Sequence, residues 1–541
     1  MIMNKLKRIL FSEVTIVCLL TLIVFFISFY YLFYYTSIAP AGTVFPLIHN
    51  HNFDYNFYLS LIRQSLEGRW LFITRFSPEV FPPRFVYFTF LLLGKAAQIT
   101  HLDLTHVYLL SRLVFGITFI YLIYLLIRLT FSKRKERLLA FFLTLFGTGF
   151  WTLTRGANGE LIINRFLNFW TEIDFLERFV YLPHHLLGKV LMIGALIALY
   201  QSIILKRKKL LVLAIITGFL SGLSSPYALA NLELTLTITL VLSAILFGKD
   251  KSMLVRIISN ILLFIVFSSL SLVYLRIIEQ GTYPWNNYLG WEKVDFPISA
   301  THLIYSLGPN FIFTLIALPH LLKTKRLIYI ILISWILTPW FGIFVLSRLS
   351  LLSNVRFLSS SYFIPLGILG SIGIGIASAK LSQFFKLNRH LILILLLIIL
   401  TFIFAIDIRT SLAGQLKSFS PNHYNIFIPK SVLSSFQFLS TSTPADSVVL
   451  SQGFMGNLIP AYSHNKTVRG HPNASYNYDQ KDGEIGRFFS QEDINFSRNL
   501  LNKYKVEYVF FSLDTPPPNE KFLNDLGLER IFGNEAVNIF K

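Results

Sequence analysis

Long apolar runs separated by short basic connections dominate the chain up to about residue 408. They begin with Thr15–Thr36 and continue through Thr105–Thr130 and Leu138–Thr154. They recur at Leu186–Leu205, Leu210–Ser225, Tyr227–Phe247 and Leu254–Ile277. His302–Leu322, Leu327–Leu346, Ser359–Ala379 and Leu391–Ile408 complete the series. A membrane-spanning helix needs about 20 mostly apolar residues, so the pattern predicts about eleven spans. The first run is too long for the apolar part of a cleaved signal, and no small-residue cleavage site follows it.

Arg84–Ile99 is shorter, contains Gly94 and Lys95, and follows Pro82-Pro83. Counting it as a span puts Lys133-Arg134-Lys135 on the opposite side from the other basic clusters, so it reads as an interfacial or re-entrant helix. Lys5/Lys7/Arg8, Lys206–Lys209, Lys249/Lys251/Arg256, Lys323/Lys325/Arg326 and Lys380/Lys386/Arg389 then all lie in cytoplasmic segments. Basic residues in short loops orient spans positive-inside. The expected topology is a cytoplasmic N-terminus, with 38–85, 155–185, 279–301 and the tail outside the plasma membrane.

The tail, 409–541, is polar and its apolar runs are short. Val432–Leu439 and Phe522–Leu528 read as helices, and Ser447–Leu450 and Val506–Phe511 as strands. The expected architecture is a polytopic α-helical membrane domain over 1–408, with amphipathic helices in its outer loop 38–104. An extracytoplasmic α/β domain over 409–541 follows it.

Composition agrees. The chain is 54% hydrophobic and 14% charged, against about 25% charged in soluble globular proteins. An aromatic content of 16% excludes disorder. The net charge of +20, from 48 Lys+Arg against 28 Asp+Glu, sits largely in the cytoplasmic loops and so argues for topology, with no nucleic-acid partner. Cys18 is the single cysteine, which excludes an intramolecular disulfide.

Candidate chemistry falls in the outer connections. From Asp54 onward the first loop carries apolar residues at helical spacing, predicting an amphipathic helix on the outer membrane surface. Asp54 at its start has two readings: a helix cap, or a carboxylate that takes a proton from an acceptor hydroxyl. His49 and His51, with Asp54, are weak metal candidates, since imidazole and carboxylate suit several divalent ions.

In Thr171-Glu172-Ile173-Asp174 the carboxylates of Glu172 and Asp174 point the same way if the loop is extended. They then form a second acidic site or hold a divalent cation such as Mg or Mn; otherwise they are a solvated turn paired with Arg165 or Arg178. His184 and His185 open a span and are candidate contacts to an acceptor or a phosphate. Arg348 and Arg356 flank the outer end of the ninth span against the positive-inside bias, where guanidinium forks match a lipid-linked phosphate or snorkel to headgroups. In the tail, His471 lies in a turn-rich stretch with Tyr476-Asn477-Tyr478, which reads as an ordinary loop or as a sugar-binding cluster.

The first span with its basic N-terminus, Asp54-Tyr55-Asn56-Phe57-Tyr58, Leu66-Glu67-Gly68 and Pro82-Pro83 before an interfacial helix resemble the first loop of the GT-C membrane glycosyltransferases. Tyr108 to Arg112 leads into the next span in a similar way. Glu172-Ile173-Asp174 stands where that superfamily often has its second acidic motif. Gly470-His471-Pro472 and Tyr504–Phe510 look like the C-terminal region of uncharacterised bacterial relatives. The resemblance implies an inverting transfer of a sugar from a polyprenyl-phosphate-linked donor to a glycan, lipid or protein acceptor at the outer face. It makes Asp54 the base, Glu172 and Asp174 the second acidic site, and Arg348 or Arg356 the donor-phosphate contact. One departure stands out: many members carry a second acid beside the first-loop Asp, and here the neighbours are Phe53 and Tyr55. A transporter or flippase for a lipid-linked glycan is the alternative, and it predicts ionisable residues inside the spans, which the apolar runs nearly lack. A non-catalytic membrane scaffold is the third reading.

Overall fold

The structure, a computed structural model, describes residues 12–541 apart from 50, 157, 168–171, 288–289, 291, 350–351, 418–425 and 514. Lys5, Lys7, Arg8, Asn50, Thr171 and Tyr288 lie outside the described residues. The chain divides into two compact units. One comprises Met1–Tyr31, Arg112–Tyr274 and Glu292–Ser418; the other comprises Leu32–Ser111, Leu275–Trp291 and Phe419–Lys541. The first outer loop and the tail therefore belong to the same unit.

The protein is a multi-span membrane protein. Among the described residues, 9 helices are long and apolar enough to cross a bilayer, from Glu13–Ser37 and Leu104–Thr130 to Phe363–Phe385 and Arg389–Leu416. Lys208–Ser224 adds a 17-residue apolar helix where Leu210–Ser225 was expected to span. Leu138–Thr154 does not form one span. Its helix, Arg134–Phe146, stops at Gly147, and Trp151–Arg155 pairs antiparallel with Leu161–Arg165. The reason lies in Gly147-Thr-Gly149: a Cβ on Gly147 would stand 2.2 Å from Asn310 Nδ2, and one on Gly149 would stand 2.7 Å from Ser306 O. The backbone turns there against a neighbouring helix, and the β-branched alternation that follows favours a strand.

Ionisable groups inside the apolar helices are more numerous than the sequence pattern suggested, and several are held by partners within the protein. Arg112 donates to Tyr181 O and to the Tyr31 hydroxyl. Glu233 accepts from Ser268 and Ser269, both at 2.9 Å. Asp407 pairs with Arg165 at 2.6 Å. Internal pairing of this kind is what a low-dielectric surrounding demands of a charge.

The tail builds a five-stranded mixed sheet. Its strands are β1 (Val448–Ser451), β2 (Lys466–Thr467), β3 (Tyr508–Phe511), β4 (Arg530–Gly533) and β5 (Asn538–Phe540), in the order β2-β1-β3-β5-β4. β1 runs parallel to both β2 and β3, and β5 runs antiparallel to β3 and β4. Alternation along β1 and β3 separates two cores. Val449, Tyr508 and Phe510 pack with the helix Met455–Tyr462 on one face. Val448, Leu450, Val509 and Phe511 pack with Tyr478–Phe489 and Ile494–Tyr504 on the other.

Candidate active site

The β1-to-β2 connection thus runs over one face of the sheet and the β2-to-β3 connection over the other. The carboxyl ends of the two strands lie side by side, since β1 and β2 pair in parallel. Residues 452–454 follow β1 there, and 468–471 follow β2. Their backbones touch. A Cβ on Gly456 would lie 1.9 Å from Arg469 O, and one on Gly470 would lie 2.3 Å from Gly456 O. Only glycine at both positions lets the loops close, and His471 follows this contact directly.

The first-loop helix Asn52–Leu66 lies alongside Met455–Tyr462 and Phe88–Thr100, with Tyr55, Asn56, Phe57 and Leu59–Ile62 among its buried residues. It is held on most sides by protein. The reason is visible in its polar residues. Asn56 Nδ2 donates to Asn457 Oδ1 at 2.8 Å, and Arg63 Nε donates to Ala461 O at 2.9 Å. On the opposite side Gly94 admits the backbone of Ile62, which a Cβ would meet at 2.5 Å. The helix Phe88–Thr100 is the short apolar element predicted over 84–99, and it docks on this partner.

Asp54 sits in the first turn, near the positive end of the helix dipole. Its Oδ1 is 3.1 Å from His471 Nε2. Asn473 N–H donates to His471 Nδ1 at 3.1 Å, which in the neutral ring leaves the proton on Nε2, facing the carboxylate. The imidazole is 4% exposed and packs near Phe53, Phe57 and Phe76, whereas the Asp54 side chain is 44% exposed. Phe53, beside Asp54, stands edge-on to Phe454 at 5.1 Å. The arrangement is a reachable carboxylate oriented by a buried imidazole. Among the sequence candidates, Asp54 and His471 come together across 417 residues. His49 is buried, while His51 is exposed and stacks on Phe53 at 5.7 Å.

In the other unit, Glu172 and Asp174 each have a cation of their own. Glu172 is completely buried, 2.5 Å from Lys189 and 3.1 Å from His185 Nδ1. Burial pushes its carboxyl up, and Lys189 opposes that shift. Asp174 pairs with Arg165 at 3.1 Å, and Arg165 also holds Glu177 and Asp407. Burial disfavours the charged guanidinium there, yet the three carboxylates outweigh it and raise its pKa. Among the described residues no three His, Cys, Asp or Glu side chains gather as a metal would require. The described residues therefore do not by themselves form a site for a divalent cation.

The His184 and His185 rings meet edge to face at 4.4 Å, with His185 turned to Glu172. Arg356 is bound within the protein: its Nη2 and Nε reach Glu292 Oε1 at 2.8 and 3.0 Å, and its guanidinium lies 4.0 Å from the Tyr227 ring. Arg348 is exposed and has no ion-pair partner among the described residues. Sequence reasoning did not find Lys189, Glu292, Asn457 or the paired glycines, because their partners are remote in sequence and no local spacing marks them.

No family model matches the chain, and no curated protein does. Solved structures do. The oligosaccharyltransferase of Archaeoglobus fulgidus, tethered to an acceptor peptide containing the NVT sequon, is 14% identical with a TM-score of 0.51, over 92% of this chain and 69% of that one. The archaeal oligosaccharyltransferase AglB from the same organism, in complex with an inhibitory peptide and a dolichol-phosphate, is 15% identical with a TM-score of 0.51, over 93% and 70%. ArnT from Cupriavidus metallidurans, bound to undecaprenyl phosphate, is 10% identical with a TM-score of 0.49, over 97% of each chain. The fold resembles that of the GT-C glycosyltransferases. At these identities the likeness is one of fold, and the site's chemistry must be argued from its own residues.

Proposed function

We propose that this protein is a GT-C-type glycosyltransferase of the plasma membrane, moving a sugar from a polyprenyl-phosphate-linked donor to a hydroxyl-bearing acceptor at the outer face. The observation that carries the reading is the Asp54–His471 pair: a carboxylate 44% exposed, 3.1 Å from the imidazole Nε2 of a buried histidine. The shared fold supports the reaction class, and the dolichol-phosphate bound by AglB supports a lipid-phosphate donor.

Asp54 takes the proton from the acceptor hydroxyl as its oxygen bonds to the anomeric carbon of the donor sugar. The anomeric carbon–oxygen bond to phosphate breaks, and the lipid phosphate leaves with the electron pair. Attack from the face opposite the leaving group inverts the anomeric centre. Arg348, exposed and without an ion-pair partner among the described residues, is the candidate side chain for the donor's lipid phosphate. Arg356, Glu172 and Asp174 are committed to partners of their own and hold the loops. The basic cytoplasmic loops support a cytoplasmic N-terminus, with the tail outside.

The test is sugar transfer from a radiolabelled polyprenyl-phosphate donor by the full-length protein in proteoliposomes. Wild type transfers label, and Asp54→Asn, which keeps shape but loses the base, does not. Full transfer by Asp54→Asn refutes the base, and no transfer by wild type from any polyprenyl donor refutes the enzyme.

A further inference from the structure

The loop that carries His471 continues into a second feature the transfer step does not use. Tyr476, five residues on, is 45% exposed and lies 5.3 Å from Tyr283 and 6.2 Å from Phe81, which are themselves 4.8 Å apart. Three separate segments of the chain thus converge to present three rings. Their presentation is built in. Tyr476 N–H donates to Ser77 Oγ at 3.0 Å, and Ser475 Oγ donates to Phe76 O at 2.7 Å. Gly470 N–H in turn donates to Ser475 Oγ at 2.9 Å, so the backbone holding Tyr476 and the backbone holding His471 are one hydrogen-bonded turn.

Neutral amides lie on the same two loops as the tyrosines. Asn287 donates to Asn473 O at 3.2 Å, and exposed Asn477 follows Tyr476 directly. Aromatic faces with neutral amides on the same loops match the two surfaces of a pyranose, whose C–H face is apolar and whose edge carries hydroxyls that both donate and accept. Five residues of chain span at most about 18 Å, which sets the platform within reach of a short oligosaccharide whose end lies at Asp54.

We propose that Phe81, Tyr283 and Tyr476 form a saccharide-stacking subsite, so that the acceptor is an oligosaccharide held along the 471–476 loop with one hydroxyl at Asp54. This rests on the reading of Asp54 as the base. The competing use of exposed aromatic rings in a membrane protein is anchoring in the lipid interface, and the experiment separates the two.

The full-length protein in nanodiscs is passed over immobilised hexasaccharides of α-1,4-glucose, β-1,4-glucose, β-1,4-N-acetylglucosamine and α-1,6-mannose, and binding is read by surface plasmon resonance. Wild type binds at least one of them. Tyr476→Ala weakens that binding by about tenfold or more, whereas Tyr476→Phe, which keeps the ring, stays within about twofold. An unchanged thermal midpoint for both variants shows that they fold. Binding to none of the four, or equal binding by Tyr476→Ala, overturns the subsite. So does quenching of a Tyr476→Trp variant by brominated lipids, which puts the platform in the bilayer. If saccharides bind but no donor is ever used, the subsite stands and the transferase reading falls. If sugar is transferred while no saccharide binds, the transferase stands and the subsite falls.

Discussion

Asp54 and Glu172 are both carboxylates in connections between apolar helices, and each has a histidine nitrogen 3.1 Å away. Their electrostatic situations are opposite. Glu172 is wholly buried and carries Lys189 at 2.5 Å, so its charge is answered inside the protein and its oxygens are out of reach. Asp54 is 44% exposed, and its histidine donates through Nε2 while accepting a backbone N–H at Nδ1. A base must be reachable and oriented; a buried ion pair is neither free nor reachable, and its role is to fix the loop that contains it. An acidic residue in the expected place is therefore not enough to mark chemistry. The partner of the carboxylate and its exposure decide.

The largest effect that tests this contrast is on turnover. Asp54→Asn lowers the transfer rate by about 10²–10⁴-fold, the usual contribution of a positioned general base, with little change in thermal midpoint because the side chain is half exposed. Lys189→Ala gives the reverse signature. It leaves Glu172 buried without its cation and costs about 3–5 kcal/mol of stability, read from thermal unfolding in detergent. Replacing both, as Lys189→Met with Glu172→Leu, recovers most of that loss. If Lys189→Ala unfolds like wild type but abolishes transfer, Glu172 and Lys189 are machinery after all.

Much of this architecture can be read from the chain itself. Apolar runs of about 20 residues mark spans because the hydrocarbon thickness leaves little choice of length. The tail strands at Val448–Ser451 and Tyr508–Phe511 stand out because they are bounded by turn residues and buried on both faces. The apolar run 138–154 misleads for a definite reason: hydropathy counts Gly147-Thr-Gly149 as neutral, while the close approach of Asn310 and Ser306 that forces glycine there belongs to the folded chain. The site divides along the same line. Asp54 is legible, since a carboxylate opening an apolar-periodic helix is a local pattern. Its pairing with His471 is not, because it depends on a reversal of strand order and on two glycines, Gly456 and Gly470, that meet only after the sheet forms. The cation beside Glu172 lies 17 residues on in a helix whose apolar composition hides a single lysine.

His471 sharpens the contrast at the next level of effect. As the donor that fixes one oxygen of Asp54, it acts through orientation, and a misplacement of about 1 Å costs up to about 10²-fold. His471→Leu lowers kcat by up to that factor and leaves KM for the donor unchanged. His471→Gln, which restores an N–H at similar reach, recovers part of the loss, whereas a histidine needed only for packing would be rescued by leucine and not by glutamine. Steady-state kinetics of the two variants in proteoliposomes, alongside their thermal midpoints, separates the cases.

The smallest effects come from the arginines, which repeat the same contrast with the sign of the charge reversed. Arg356 is bound to Glu292, whose carboxylate is 4% exposed and also takes hydrogen bonds from Tyr227 and Ser353. Arg356→Ala removes the cation but leaves those two donors, so the expected loss is about 1–3 kcal/mol of stability with donor KM little changed. Arg348 is exposed, and its removal leaves no buried carboxylate behind. Arg348→Ala therefore keeps the wild-type thermal midpoint and raises donor KM by up to about fivefold, since an exposed ion pair is worth about 1 kcal/mol or less. That increase shrinks at high salt, because the contact is screened. If Arg356→Ala moves donor KM and Arg348→Ala does not, the phosphate contact lies with the arginine that Glu292 holds, and exposure no longer separates working charges from structural ones.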